Sequence, residues 1–142
     1  MAEDIGAPLR DIARTSAEPS RALRDRHLIE VVPELAALAG TPQDPVWHPE
    51  GDVLVHSLWA ADLAATHAVQ HDIHADRREL LVLASLLHDV GKPDTTRRRN
   101  GRLTSWGHAE RGAVLVRSMG DRMRWPDASV PWTRVDARLS RG

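Results

Sequence analysis

The sequence predicts an all-α domain. Two observations carry that reading: a pair of apolar-periodic stretches joined by a connector short enough for an antiparallel helical hairpin, and a third such stretch after a polar loop. The first helix of the pair starts after Asp52, a residue type suited to the N-cap, and runs to about Gln70 with His56, Ala60, Leu63 and Ala64 on one stripe. The second follows a capping-box pattern made by Asp76 and Glu79. It runs from about Arg77 through Leu80, Leu83, Ala84 and Leu87 to His88-Asp89, where Gly91 and Pro93 end it. His71 to Ala75 forms the polar connector. His56 lies about 14 residues before that connector and His88 about 13 residues after it, so at about 1.5 Å rise both stand roughly 20 Å from the turn. Residues far apart in sequence are therefore expected to meet at the open end of the hairpin.

The loop from Asp94 to Thr104 returns the chain, and Ser105 is the expected N-cap of a third helix with His108 in its first turn and Ala109, Ala113 and Val116 on one face. Upstream, residues 1 to about 19 are polar, contain Pro8 and Pro19, and read as a frayed or weakly helical leader. Ser20 caps a helix through Leu28 and Val31, and Pro33 either breaks it or opens a short second helix from Glu34 to Ala39, ended by Gly40. Thr41 to Gly51 is a proline-rich loop. The expected organisation is a leader and helical segment over 1–40, a core over 41–125, and an irregular tail over 126–142, where two prolines interrupt any helical pattern.

At 142 residues the chain can bury one modest core. Its hydrophobic content of 42% is mostly Ala, Leu and Val with no Phe, Tyr or Cys, so the core is expected to be aliphatic with bulky filling left to tryptophan. A net charge of -1 gives no global attraction to nucleic acid, and strong duplex binding is not expected. The absence of cysteine excludes disulfides and thiolate sites. No apolar run reaches membrane-spanning length, the first residues lack the features of a signal peptide, and a cytoplasmic location is the default.

Adjacent imidazole and carboxylate in His88-Asp89, backed by distant histidines, suggest metal-ligand chemistry. Each candidate also has a plainer explanation. His88 and Asp89 can be a favourable helix C-terminus, His56 a hydrogen-bonded core histidine, and His108 a helix-start residue. His48 sits in the proline-bounded loop and is left outside the metal shell. His71-Asp72 repeats the dipeptide at the wrong end of the hairpin, and His67 is three turns from His56, too far for a shared metal. Arg97-Arg98-Arg99 reads more readily as a solvated loop than as a phosphate clamp. The tryptophans read as packing residues, because no basic groove accompanies them.

The series Trp47-His48-Pro49-Glu50-Gly51-Asp52-Val53, His56, Leu86-Leu87-His88-Asp89-Val90-Gly91-Lys92-Pro93, Thr95-Thr96, Gly101-Arg102 and Gly107-His108-Ala109-Glu110 resembles the HD superfamily of metal-dependent phosphohydrolases. More narrowly, it is similar to the HD domain attached to bacterial CCA-adding tRNA nucleotidyltransferases and poly(A) polymerase-like proteins. The resemblance covers about residues 30 to 125, and the segment from Glu18 to Gly40 is similar to the helical linker that precedes the domain in those proteins. It implies an HD-domain helical bundle with His56, His88 and Asp89 as metal ligands, and His108 as the later histidine that in several branches serves a second metal or phosphate. Lys92 and Asp89 become the catalytic candidates, and Lys92, Arg97, Arg98 and Arg102 the phosphate-binding ones. The cofactor is a divalent metal, and the His and carboxylate donors do not choose among Mn, Mg, Ni, Co, Fe or Zn.

The implied activity is hydrolysis of a phosphomonoester or phosphodiester, of a phosphorylated small molecule such as a nucleotide or of an RNA end. The alternative is a non-catalytic or truncated helical module with a structural metal or an accessory RNA-binding role. The nucleotidyltransferase head is not in this sequence, so nucleotide addition is not expected of this chain alone. HD proteins usually carry a further aspartate on a later helix. Asp121, Asp127 and Asp136 are the late aspartates here and none stands in a strongly apolar helix, which implies an incomplete site, as a truncation or a shifted reading frame would leave.

Overall fold

The computed structural model describes residues 5–125. In chain order these form α1 (Gly6–Thr15), α2 (Pro19–Asp25), α3 (Leu28–Val31), α4 (Pro33–Ala36), α5 (Val53–Gln70), α6 (Ala75–Leu87), α7 (Lys92–Thr95), β1 (Arg97–Arg99), β2 (Arg102–Thr104) and α8 (His108–Arg122). The fold is all-α apart from one small antiparallel hairpin. The expected tail over 126–142, with Asp127, Asp136 and Trp132, lies outside the described residues.

The central feature is the antiparallel pair α5 and α6. Asp52 starts α5 as expected: its Oδ1 accepts the Val55 N–H at 3.0 Å, while Oδ2 accepts the Gly40 N–H at 2.8 Å. One carboxylate thus caps the helix and ties it to the turn after α4. The face α5 buries is Leu54, Ser57, Leu58, Ala61, Ala64, Ala65 and Ala68, rotated from the expected stripe, and Leu63 is 56% exposed. The alanines let α6 approach closely, and α6 answers with Val82, Leu83, Leu86 and Leu87.

The expected capping box on α6 does not form. His74 occupies the N-cap position without a side-chain bond, Asp76 pairs with Arg14 at 2.6 Å, and the buried Glu79 takes Arg10 at 2.8 Å. Both cations come from α1, which lies against α6 and contributes Leu9, Ile12 and Ala13 to the core. A charged partner satisfies a buried carboxylate better than a backbone amide it would have to bend back to reach. The leader read as frayed or weakly helical therefore contains, over Gly6–Thr15, a packed amphipathic helix.

Ser20 caps nothing. Pro19 holds the first helical position of α2, and Ser20 donates through its N–H (2.9 Å) and Oγ (2.6 Å) to Asp62 of α5. The single helix expected from Ser20 to Val31 is divided by His27, which turns into the left-handed region at φ 56. Pro33 opens α4, and Gly40 closes the following turns at φ 80. The core is aliphatic as expected, with Leu23, Val32, Leu35 and Leu38 from the front segment meeting Val53, Leu58, Leu83, Leu87, Val90 and Met119. The bulky filling is not tryptophan: of the described tryptophans Trp125 is buried, whereas Trp47, Trp59 and Trp106 are 79%, 52% and 69% exposed. Leucine, valine and methionine already fill the interior.

After α6 the chain turns through His88, which caps the helix, to Gly91. Pro93 does not end a helix but sits in the first turn of α7. The segment read as a plain return loop carries β1 and β2, with Arg97 opposite Thr104 and Arg99 opposite Arg102. Asn100 (φ 51) and Gly101 (φ 77) make the left-handed pair that matches the twist of a two-residue hairpin. Gly107, at φ 82, then leads into α8; Ser105 does not cap it by side chain, since its Oγ bonds Thr96 Oγ1 at 2.8 Å. Ala109, Gly112, Val116 and Met119 are the buried face of α8, with Ala113 half-buried. No helix among the described residues is long and apolar enough to cross a membrane.

Candidate metal centre

The hairpin brings the histidines together as the rise arithmetic requires. His56, in the first turn of α5, has Nε2 3.2 Å from His88 Nε2 and 3.5 Å from Asp89 Oδ2, and His88 Nε2 lies 3.1 Å from the same oxygen. Bonds of about 2.1 Å to one metal, at angles between square and tetrahedral, separate neighbouring donor atoms by about 3.0–3.4 Å. The triangle has the size of one face of a coordination shell, and its members lie within the donor groupings able to hold an ion.

Hydrogen bonding orients the same donors. His88 Nδ1 lies 2.6 Å from the Ser85 carbonyl, and His108 Nδ1 lies 2.8 Å from the Ser105 carbonyl. A carbonyl only accepts, so Nδ1 carries the hydrogen in both rings, and in the neutral form Nε2 presents its lone pair inward. His56 does the same through Glu50, whose Oε2 lies 3.3 Å from its Nδ1. Two neutral imidazoles cannot bond each other through facing lone pairs. Either a proton on one ring or a cation between them resolves the conflict, and a divalent ion resolves it for both rings and the carboxylate at once. The residues present therefore fit a divalent metal.

Charge reinforces this. Burial alone would push the Asp89 carboxyl up, but the hydrogen bond and charge of His88, together with Lys92, hold it well below the usual carboxylate range. Burial pushes His56 below its ordinary value; the Glu50 bond and Asp89 charge pull it back, while His88 and Lys92 add to the lowering. The carboxylate is thus ionised and the imidazole disposed to be neutral, the states a metal needs. Lys92 Nζ sits 3.1 Å from Asp89 Oδ2 and 3.0 Å from Gln43 Oε1, and His108 Nε2 lies 3.6 Å from Asp89 Oδ1 on the other side.

A cleft of about 530 Å³ opens beside this cluster, lined by His48, Lys92, His108 and Arg102 among others. Of the arginines considered for phosphate, Arg102 reaches it. Arg97 and Arg98 line a neighbouring depression with Gly40 and Pro93 instead. His48, which sequence reasoning left outside, packs its ring edge-on against His56 at 5.1 Å and stands 3.6 Å from Glu50. His71, Asp72 and His74 stay at the far connector, where His74 pairs with Asp72. Asp121 lies in the last turn of α8 and is exposed.

Glu50 was not singled out from the sequence, although His48-Pro49-Glu50 stands just before the α5 cap. Burial alone would raise its carboxyl, but a backbone hydrogen bond and the neighbouring His56 and His48 keep it low. A carboxylate behind a ligating imidazole fixes the ring and strengthens its donor nitrogen. Glu50→Ala is expected to weaken metal affinity about 10- to 100-fold, with Glu50→Gln in between, by competition against a fluorescent chelator. Equal affinities in all three proteins would remove Glu50 from this role.

A family model described as HD domain matches residues 53–137, from the first residue of α5 onward. The chain belongs to the HD-domain family. Among curated proteins it is similar to the multifunctional CCA protein of Halorhodospira halophila, 38% identical over 83% of this chain and 28% of that protein. It is likewise similar to that of Stenotrophomonas maltophilia, 36% identical over 80% and 27%, and to that of Burkholderia orbicola, 35% identical over 90% and 30%. The chain thus spans under a third of the length of these relatives. No solved structure gives a significant match.

Proposed function

We propose that this chain is a divalent-metal-dependent phosphohydrolase acting on a phosphomonoester or phosphodiester of a nucleotide or an RNA end. The observation that carries the proposal is the convergence of His56 Nε2, His88 Nε2 and the ionised Asp89 carboxylate at 3.1–3.5 Å, beside a cleft with cationic walls. A divalent ion held by these three would acidify a water and polarise a phosphoryl oxygen. The chain's own side chains do the rest. Asp89 supplies the anionic ligand. Lys92, held between Asp89 and Gln43, places a point charge where a phosphate oxygen would enter, and Arg102 adds a planar fork along the cleft. His108, its Nδ1 tied to Ser105, turns Nε2 toward the same space as a further ligand or phosphate contact.

The test is metal analysis of the purified chain, followed by a screen of generic phosphoesters and nucleotides with Mn, Mg, Ni or Co, before and after chelation. Metal uptake with turnover that vanishes on chelation and returns with metal is the expected result. Uptake without turnover would leave the metal structural and overturn the enzymatic reading. Metal affinity should also fall in acid, at a pH below the ordinary imidazole value, because His56, lowered by its burial, must be neutral to bind while Asp89 stays ionised. A flat affinity from about pH 7.5 down to about 4, where Asp89 is still ionised, would exclude His56 as a ligand.

A further inference from the structure

The cleft beside the candidate metal centre has aromatic as well as charged lining. Trp47 and Trp106 both line it, 79% and 69% exposed, in a domain whose core is mainly aliphatic and buries Trp125. Exposed indoles are costly in water unless something covers them. Trp106 is moreover held in place. The Arg99 guanidinium lies 4.1 Å from its ring centroid, and Arg99 Nε is fixed on Thr104 Oγ1 at 3.1 Å. The β1–β2 hairpin, with its tight Asn100-Gly101 turn, supplies that backing from Arg99 and Thr104. A cation on one face of an indole leaves the other face for a second planar group.

The same cleft is lined by Lys92 and Arg102, and Lys92 and His108 both approach Asp89, so it offers cationic contacts and an aromatic wall together. Its volume of about 530 Å³ is within the usual range for small-ligand sites. Asp44, which also lines it, is engaged by the Val46 N–H at 2.9 Å. From these placements we infer that Trp106, backed by Arg99 and with Trp47 at the same rim, stacks on the nucleobase of a ribose phosphate whose phosphate lies at Lys92. The orientation of that ligand rests on the phosphate end proposed above; the stacking subsite itself does not require turnover. A base presents a planar π-face to an indole, which gives preference for nucleotides over plain sugar phosphates with little choice among bases.

The experiment titrates the full chain with adenosine 5′-monophosphate, ribose 5-phosphate and a three-nucleotide RNA. The protein is kept metal-free by chelator so that no hydrolysis intervenes, and tryptophan fluorescence and calorimetry are the readouts. The nucleotide should bind at least about tenfold more tightly than ribose 5-phosphate. Trp106→Ala should abolish that gap and leave ribose 5-phosphate affinity unchanged, Arg99→Gln should narrow it, and Trp59→Ala, which alters an exposed indole outside the cleft, should preserve it. Tighter binding of the trinucleotide than of the mononucleotide identifies an RNA end as the source of the base, and the reverse identifies a free nucleotide; both support stacking. Equal affinity for nucleotide and sugar phosphate, a gap that survives Trp106→Ala, or no binding at all overturns the inference. Absence of metal uptake or turnover in the preceding screen would sink the hydrolase proposal while leaving this gap measurable, so the two can fail separately.

Discussion

Asp89→Ala is expected to lose stoichiometric metal and to lower phosphoester turnover by at least about 10³-fold. Asp89 is 3% exposed and is the only carboxylate within 4 Å of His56 Nε2, His88 Nε2, Lys92 and His108 Nε2 among the described residues. Removing it leaves the imidazole donors without their anionic partner and beside the uncompensated Lys92 ammonium, which repels a cation. The metal-free protein should also be less stable at neutral pH by about 2–4 kcal/mol, because Lys92 is left without its charged partner. The pH dependence of that difference has a definite sign. A carboxyl whose folded pKa is depressed contributes its full stability above its unfolded value of about 3.9 and loses it as pH falls through the folded value. The gap between wild type and variant should therefore persist from pH 7 to 5 and close only in stronger acid, as read by urea unfolding with chelator present. Asp89→Asn, similar in shape but uncharged, should resemble Ala in metal content. If either variant retains wild-type metal and turnover, the centre is not where the reaction occurs.

The sequence exposed what depends on local regularity. His56 and His88 could be paired because two helices of similar length on either side of a short connector fix where their ends meet, and the side chains indeed approach to 3.2 Å. Asp52 was legible as a cap because capping is decided within three residues. Glu79 was not, because its partner Arg10 is 69 residues away on a helix that local pattern did not reveal as packed. The stripe on α5 was misplaced for a related reason: alanines score weakly as apolar, yet they are the residues that let α6 come close. The β hairpin had its signal in Asn100-Gly101, but two three-residue strands of mainly polar residues show no alternation to support it. Exposure of Trp47 and Trp106 could not be read from residue type, which favours burial without enforcing it. Glu50 was hidden in a loop, where no periodicity says which way a side chain faces.

Gly91 separates two explanations of the motif around the His-Asp pair. As a helix stop it would owe its place to conformational freedom, but its backbone is right-handed at φ -78 and ψ -13, a region any residue adopts. On that reading Gly91→Ala would be neutral or slightly stabilising, by up to about 1 kcal/mol. The packing says otherwise. A Cβ at Gly91 would lie 2.1 Å from the His108 carbonyl oxygen, 2.6 Å from the Gly112 amide nitrogen and 3.0 Å from the His108 carbonyl carbon. All three are backbone atoms of α8, so no side chain can rotate away, and the helix itself must move. The expected cost is about 2–4 kcal/mol, toward or beyond the upper end of ordinary overpacking, or a Tm loss of roughly 10 °C. Gly101→Ala is the control. Gly101 needs φ +77 but has nothing within 4 Å, so its cost is backbone strain alone, about 1 kcal/mol. The larger loss at Gly91 should come with a displaced His108, visible as a shift of its imidazole NMR signals, because the helix that must retreat is the one delivering Nε2 to within 3.6 Å of Asp89. A wild-type Tm in Gly91→Ala would return the glycine to the role of a helix stop. A large loss would show that the residue two places after Asp89 is small so that the first turn of α8 can pack against the His88-Asp89 turn.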